Sequence, residues 1–529
     1  MRLVRTLQRI GFVEVPGVIT RGRTLNAQSE VKPVAVIDVG SNSVRLVVFD
    51  AARRVSVPVF NEKVLCGLGR GIDSTGRLDL EGVELALDAL QRFAVLTHSM
   101  GVEDLTVIAT AAVREAEDGG EFVQAVERRC GLKIKAIPGE EEARLSALGV
   151  LSAIPEADGL VGDLGGGSFE VIRVQDGGIH AHRTLPIGPI RLANRDEIDY
   201  ATVLKTIDDN LAKIDWLGSA RGKTFYAVGG AWRALARIHM NKTDYPLLVA
   251  HHYEIPGKQA LTFAKTMSNN DRGALDKFFR GVSKKRVGTI PFAALLLRRL
   301  IEQSGISKVV ISAYGLREGC LFDRLPQYLK TQDPLIDASR NLAWMTGRAT
   351  VDGEALFHWM TPAFPDESAR EQRLRRAACL LADLEWSEHP DYRVEHALLR
   401  ILRYPMTGVD HPGRAYMALA VASRHAQVRE RLYNKFLKPI LDKDEAKRAR
   451  ATGLAMRLGY TLSGGVIALL EQSNIRREGD TLIFEMPESA GVLVGDTVQR
   501  RFRSLAKLLR CEPRFLFVKP QREAAGYVR

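Results

Sequence analysis

The sequence predicts an α/β protein built from two similar halves, followed by a mainly helical region and a small α+β end. Three observations lead there. A strand–Gly-turn–strand pattern occurs twice, once at Val34–Phe49 and again at Leu160–Ile172. Apolar β-rich runs alternate with segments of helical spacing from Val34 to about Lys330, the pattern of sheets flanked by helices. Beyond Lys330 the spacing becomes helical and arginine-rich, and short β-like runs return only in residues 480–518.

Taken in order, residues 1–32 lack periodicity and read as a basic extension. Val34–Ile37 and Val44–Phe49 are β-rich runs about a short turn. Leu80–His98 has helical spacing, Leu105–Ala109 reads as a buried strand, and Gly120–Arg129 as a helix. Strand Leu132–Ile137, a Pro138-Gly139 turn and helix Glu140–Val150 close the first half, residues 33–150. The second half, 151–330, reopens at Gly159. At an offset of 125, Asp38 matches Asp163, Gly40 matches Gly165 and Ser43 matches Ser168. It continues through strand Thr224–Val228, the Gly229-Gly230 turn, a helix from Ala231, strand Lys308–Ser312 and the segment Tyr314–Gly319. Arg373–Leu384, Tyr392–Leu402 and Ala415–Leu432 give a helical domain over 331–455, and 456–529 form the α+β end.

The 529 residues are 46% apolar and 26% charged, which excludes disorder, collagen-like repeats and a pure coiled coil. Cys66, Cys130, Cys320, Cys379 and Cys511 show no C-x-x-C spacing, so neither a disulfide framework nor a structural zinc is expected and a reducing cytoplasm fits. The longest apolar run, Ile290–Leu297, ends at Arg298-Arg299, short of the roughly 18 residues a membrane span needs. The N-terminal apolar stretch is broken by Glu14 and Pro16 and does not read as a signal peptide. The net charge is +12 and sits at the ends: residues 1–32 hold six basic and two acidic residues, and 331–529 hold 31 and 25. Such ends attract polyanions of any kind, so charge narrows the partners without choosing one.

Asp38-Val39-Gly40-Ser41-Asn42-Ser43 lies between two strands, a hairpin tip and not the helix-opening turn of a dinucleotide fingerprint. A Gly-rich tip aims several N–H groups at one spot and lets an anion approach closely. Asp38 and Asp163 end buried strands, where a carboxylate needs a partner such as a metal ion. Either loop alone reads equally as a tight turn with a solvated Asp. Two of them at matched positions (Gly40, Ser41, Asn42 and Ser43; Gly165, Gly166, Gly167 and Ser168) read as a clamp on a phosphate chain. Gly229-Gly230 adds a strand-to-helix turn whose helix N-terminus favours an anion.

The set Asp38–Arg45, Ala111–Ala116, Gly139–Arg144, Asp163–Glu170 and Tyr314–Gly319 resembles the exopolyphosphatase/guanosine pentaphosphate phosphohydrolase family. The resemblance covers residues 33–330 strongly and the C-terminal half weakly. It implies a duplicated actin-like (ribonuclease H-like) two-lobed catalytic core, followed by an HD-like helical domain and a small α+β domain. It implies hydrolysis of the terminal phosphate of linear polyphosphate, with guanosine pentaphosphate as the alternative substrate. Read from the residues alone, Glu140, Glu141 and Glu142 complement a helix dipole; the resemblance makes Glu142 the general base. It further implies that Asp163, Glu170 and Asp38 hold Mg²⁺, that K⁺ is a possible activator, and that Arg45 and Arg114 neutralise phosphate charge. An ordinary ion pair is the alternative for either arginine. Arg317 and Glu318 are expected to pair near the hinge. A homodimer is expected, with no membrane and no specific nucleic-acid partner. A kinase of the same superfamily and a non-catalytic polyphosphate or alarmone sensor are the remaining readings.

In the C-terminal half, Ala382 stands before Asp383 where an HD-type site places His, with His389, His396 and His425 downstream. A degenerate metal motif is therefore expected. Arg373, Arg375, Arg376, Arg400 and Arg403 could extend an electropositive track for a long chain, or form a solvated face.

Overall fold

The computed structural model describes residues 32–193, 200–268, 279–283, 287–346 and 352–519. The extension expected over 1–32 lies outside them except for Lys32, which pairs with Glu103.

Each half contains one sheet. In the first, strands β1 (Val34–Val39), β2 (Ser43–Phe49), β3 (Pro58–Leu65), β4 (Asp104–Ala109) and β5 (Lys135–Ala136) run in the order β3-β2-β1-β4-β5. In the second, β6 (Gly159–Leu164), β7 (Phe169–Gln175), β8 (Gly178–Leu185), β9 (Thr224–Val228), β10 (Glu254–Pro256) and β11 (Lys308–Ser312) run β10-β11-β9-β6-β7-β8. Removing the edge strand β10 leaves the same order in both: an antiparallel meander of three, then parallel strands beside the first. This is the duplicated actin-like architecture, and the repeat seen at an offset of 125 is its outer trace. β1 and β6 are central, so both faces are covered and their sequences are almost continuously apolar. Asp38 and Asp163, their fifth residues, are the only partly exposed positions in either strand. The expected strand Leu132–Ile137 shrinks to the two residues of β5, because the chain reaches the sheet only at its end.

Helix Gly139–Ala153 ends the first half in sequence but packs on the second sheet, burying Ala143, Ala147, Val150 and Leu151 against Val161, Ile172, Tyr226 and Val228. Helix Leu316–Arg324 ends the second half and buries Cys320 and Leu321 on the first sheet beside Val36, Val47 and Ile108. The halves thus exchange helices, and the two cross with their backbones in contact. A methyl added at Gly149 would lie 2.1 Å from the Gly315 carbonyl, and one at Gly319 only 1.8 Å from the Leu145 carbonyl. Arg144 adds paired bonds to Glu141 and Asp323 across the crossing. Gly319→Ala is expected to force the helices apart at a cost of about 3 kcal/mol, and to reduce activity too, since Glu142 rides on one of them. A thermal melt and an activity assay on the same sample check both; a full-activity, wild-type melt would show that the crossing tolerates separation.

Beyond the halves, helices Pro334–Thr346, Ala369–Leu380, Pro390–Arg403, His411–His425 and Lys443–Ser463 precede a sheet of β12 (Asn474–Glu478), β13 (Thr481–Pro487) and β14 (Glu512–Val518), backed by helix Asp496–Leu509. The boundary expected at 455/456 falls inside Lys443–Ser463, and one apolar core runs from Leu335 through Phe484 to Cys511. The helix expected over Ala415–Leu432 stops at His425 and restarts at Glu430. Val55 of the first half and Leu247 of the second join this core, and buried Arg54 donates to the carbonyls of Gln332 and Ser152, so the C-terminal unit is packed on both halves. No helix among the described residues is long and apolar enough to cross a membrane.

Most arginines proposed for a polyanion track are occupied within the fold. Arg373 forks onto Asp333, Arg376 onto Glu354, and Arg400 faces Glu385. Arg375 is fully buried, bonded to Glu367, Thr361 and the Phe357 carbonyl. A charge inside a helical core is tolerated only with such partners, so these four hold the unit together instead of lining a track.

Candidate active site

A cavity of about 370 Å³ opens between the two sheets. Its walls are the matched hairpin tips. In each, the first glycine donates to the carbonyl of the closing serine, Gly40 to Ser43 at 3.0 Å and Gly165 to Ser168 at 3.1 Å. The tips face one another: a methyl on Gly166 would lie 3.6 Å from Asn42 Cβ, and one on Gly167 3.3 Å from Ser41 Oγ. The tip carbonyls are bonded from behind. Ser41 accepts from Gly69, Asn42 from Cys66 and Gly67, Gly166 from Ile190, and Gly167 from Gly188. The third turn also lines the cavity. Gly229 has φ 116°, and a Cβ there would sit 2.5 Å from the Leu164 carbonyl, so only glycine fits. It delivers the N-terminus of helix Gly230–Lys242 to the same space.

The three consecutive glutamates have three different fates. Glu140 is exposed, Glu141 binds Arg144, and Glu142 is 7% exposed and lines the cavity. Burial pushes the Glu142 carboxyl up to about 7, while the hydrogen bond from Arg114 opposes the rise. Ser146, one turn along the same helix, donates to Asp163 Oδ2. Burial also raises Asp38, Asp163 and, most strongly, Glu170, whose rise is increased by Glu142 and Asp163. Glu170 lies opposite Asp163 across the β6–β7 pair and is 1% exposed, and its Oε1 has no hydrogen-bond partner. Four neighbouring carboxylates, one oxygen of them orphaned, form an all-oxygen donor set. That chemistry fits a hard divalent cation.

Arg114 differs from its expected place. It does not line the cavity; its Nη1 donates to Glu142 Oε2 and to the Ile137 carbonyl, both at 3.0 Å. It lies on helix Ala111–Glu115, directly behind the glutamate whose carboxylate it bonds. Glu170 and Gly167 also lie behind the cavity wall, while the other expected residues line it. Arg45 does reach the cavity, bonded to Asn61, and burial plus neighbouring Arg317 and Arg233 bring its guanidinium down to about 10. Arg317 does not pair with Glu318. Its Nε lies 4.0 Å from Asp38 Oδ2 and its buried Nη1 has no hydrogen-bond partner, while Glu318 accepts from the Gly315 N–H.

Three cationic residues were missed as site residues: Lys63, Arg233 and Arg317. Arg233 sits one turn into the helix after Gly229-Gly230, a spacing legible in sequence. Lys63 comes to the cavity only through its register opposite Arg45 on β3. In the C-terminal unit, Asp383 binds Arg424 at 2.9 Å, His425 Nε2 meets the Leu384 carbonyl, and His389 caps helix Pro390–Arg403. The buried carboxylate of Asp383 thus has a guanidinium on it.

Two actin-like halves closing on an anion-binding cleft with a buried carboxylate at its floor define a phosphate-handling enzyme class. The chain belongs to the Ppx/GppA phosphatase family, whose model matches residues 46–328, and the model for the C-terminal part of exopolyphosphatases matches 335–516. It is a hydrolase of that family. Exopolyphosphatase 1 of Mycobacterium tuberculosis is 29% identical over 314 residues, covering 55% of this chain and 88% of that one. The guanosine-5'-triphosphate,3'-diphosphate pyrophosphatase of Photobacterium profundum is 25% identical over 308 residues, 55% of this chain and 59% of that one. Among solved structures, an exopolyphosphatase from Cytophaga hutchinsonii shares the fold, with TM-score 0.50 and 24% identity over 55% of this chain and 97% of that one.

Proposed function

We propose that the chain is an exopolyphosphatase, releasing the terminal phosphate of linear inorganic polyphosphate to water with Glu142 as general base. The observation that carries this reading is the Glu142 carboxyl, buried at the floor of the cleft and raised to about 7, close to the pH at which a base must both be ionised and accept a proton. A water held on a Glu142 oxygen attacks the terminal phosphorus, its proton passes to the carboxylate, and the bridging P–O bond breaks with its electrons going to the shortened chain. Arg114 keeps one carboxylate oxygen occupied, which fixes the face the other presents. With the tip carbonyls engaged from behind, the tips of Gly40–Ser43 and Gly165–Ser168 offer their N–H groups to phosphate oxygens. Arg45, Lys63, Arg233 and Arg317 balance the charge of the phosphates beyond the terminal one. Asp163, Glu170 and Asp38 would hold Mg²⁺, which supplies charge neutralisation at the phosphate oxygens. K⁺ activation, a homodimer and a cytoplasmic location accompany this reading as proposals.

A second reading, hydrolysis of guanosine pentaphosphate, has one observation in its favour. An adjoining cavity of about 240 Å³ shares Arg45, Arg233 and Arg317 and is lined by Val47, Phe49, Leu321 and Phe322, room for an apolar ring beside a phosphate chain.

The test is phosphate release from long-chain polyphosphate and guanosine pentaphosphate in parallel, with Mg²⁺ and K⁺. Faster release from polyphosphate is expected; preference for the nucleotide would transfer the assignment to the second reading. Release from neither would return the kinase and sensor readings.

A further inference from the structure

The C-terminal unit holds a cavity that shares no residue with the cleft. It measures about 310 Å³, and of its nine lining residues four are arginines (Arg393, Arg424, Arg457 and Arg501) and none is acidic. Four helices supply them, one each: Arg393 from Pro390–Arg403, Arg424 from the end of His411–His425, Arg457 from Lys443–Ser463 and Arg501 from Asp496–Leu509.

The four do not have equal partners. Arg424 is neutralised by Asp383 at 2.9 Å and lies over the Tyr460 ring at 3.9 Å. Arg393 donates only to the uncharged Glu388 carbonyl. Among the described residues no carboxylate pairs with Arg457 or Arg501, and Arg501 Nε is buried with no hydrogen-bond partner. Burial and the charge of Arg500 push the Arg457 guanidinium down, and burial with the charges of Arg457 and Arg500 does the same to Arg501. Arg373, Arg375 and Arg376 in the same unit, by contrast, each have a carboxylate. Three guanidinium charges held together without a counter-charge, one with a dry N–H, are complementary to an anion carrying about three negative charges and acceptor oxygens on several sides. A single carboxylate or halide has neither. Two or three linked phosphates have both.

We propose that this cavity is a second oligophosphate site, which binds two or three linked phosphates, free or carried by a nucleotide. It does not depend on the reaction assigned to the cleft.

The test uses the full chain carrying Glu142→Gln to stop turnover, titrated calorimetrically with inorganic tripolyphosphate and, separately, GTP. The same titrations are made with Arg457→Gln and Arg501→Gln added. One bound equivalent is expected to disappear, its affinity weakened about 100-fold by the loss of two charged hydrogen-bond donors. Loss with tripolyphosphate makes inorganic phosphate chains sufficient; loss with GTP alone assigns the site to nucleotides. Unchanged stoichiometry with both probes overturns the proposal. In the ligand-free state the two substitutions relieve repulsion, so the melting temperature is expected to hold or rise while the gain on adding tripolyphosphate is lost. A lower ligand-free melt with the same stoichiometry would make these arginines structural and overturn it. Arg457→Lys with Arg501→Lys keeps the charge without the fork, and intermediate affinity is expected.

Discussion

Glu142→Gln is expected to lower phosphate release about 1000-fold or more, the contribution of a positioned general base, while the chain stays folded and still binds polyphosphate. The amide keeps the shape of the side chain and an oxygen for Arg114, so the ion-pair geometry survives as a hydrogen bond. It removes the proton acceptor. The wild-type rate should fall about tenfold per pH unit below about 7, as Glu142 protonates, and this acid limb should vanish in the variant. Stability should move the other way. The Glu142 carboxyl titrates near 4.5 in the unfolded chain and at about 7 in the fold, so its ionisation opposes folding increasingly from about 4.5 upward and fully above 7. The neutral amide escapes that opposition, and the variant is expected to melt no lower than wild type at neutral pH. Normal turnover in the variant would remove Glu142 from the mechanism.

Arg114→Met is expected to cost about 10- to 100-fold at pH 7, by a different route. Arg114 is the strongest influence opposing the burial-driven rise of the Glu142 pKa, through its hydrogen bond and its charge. Without it the carboxyl rises further and is mostly protonated at neutral pH; each unit of rise costs tenfold in active base. The acid limb of the pH–rate profile should therefore move to higher pH, with activity recovering in alkali, and Arg114→Lys should restore part of the shift. A loss of rate with the limb unmoved would mean that Arg114 acts on the substrate and not on the base.

The duplicated core was legible because it rests on local chemistry. A Gly-rich tip between apolar strands looks the same wherever it occurs, and Asp38 and Asp163 recur with it. The register also shows what the repeat conceals: Arg45 and Glu170 occupy equivalent positions opposite those aspartates, so one hairpin brings a cation into the cleft where the other buries a carboxylate behind its wall. The roles of Arg114, Arg317 and Lys63 were not legible in this way. Each depends on a residue the fold brings beside it, 28, 279 and 18 residues away: Arg114 and Arg317 on the carboxylates of Glu142 and Asp38, Lys63 on its register opposite Arg45. The arginine-rich helices of the C-terminal half gave the same difficulty. Arg373 and Arg376 look alike in sequence to Arg457 and Arg501, yet the first two meet carboxylates while the last two line a cavity with two further arginines and no acidic residue.

By itself, the sequence determined the elements whose periodicity or turn chemistry is local: the two matched hairpins, helix Leu80–Ser99, strands β9 and β11, and the change to helix beyond Lys330. Tertiary structure alone decided which of three adjacent glutamates is buried, which cations converge on the cleft, and that the C-terminal helices and sheet share one core. The reason is physical. Backbone conformation answers to neighbours a few residues away, whereas the energy of a charge is set by what surrounds it in space, and here that is the helix each half lends to the other.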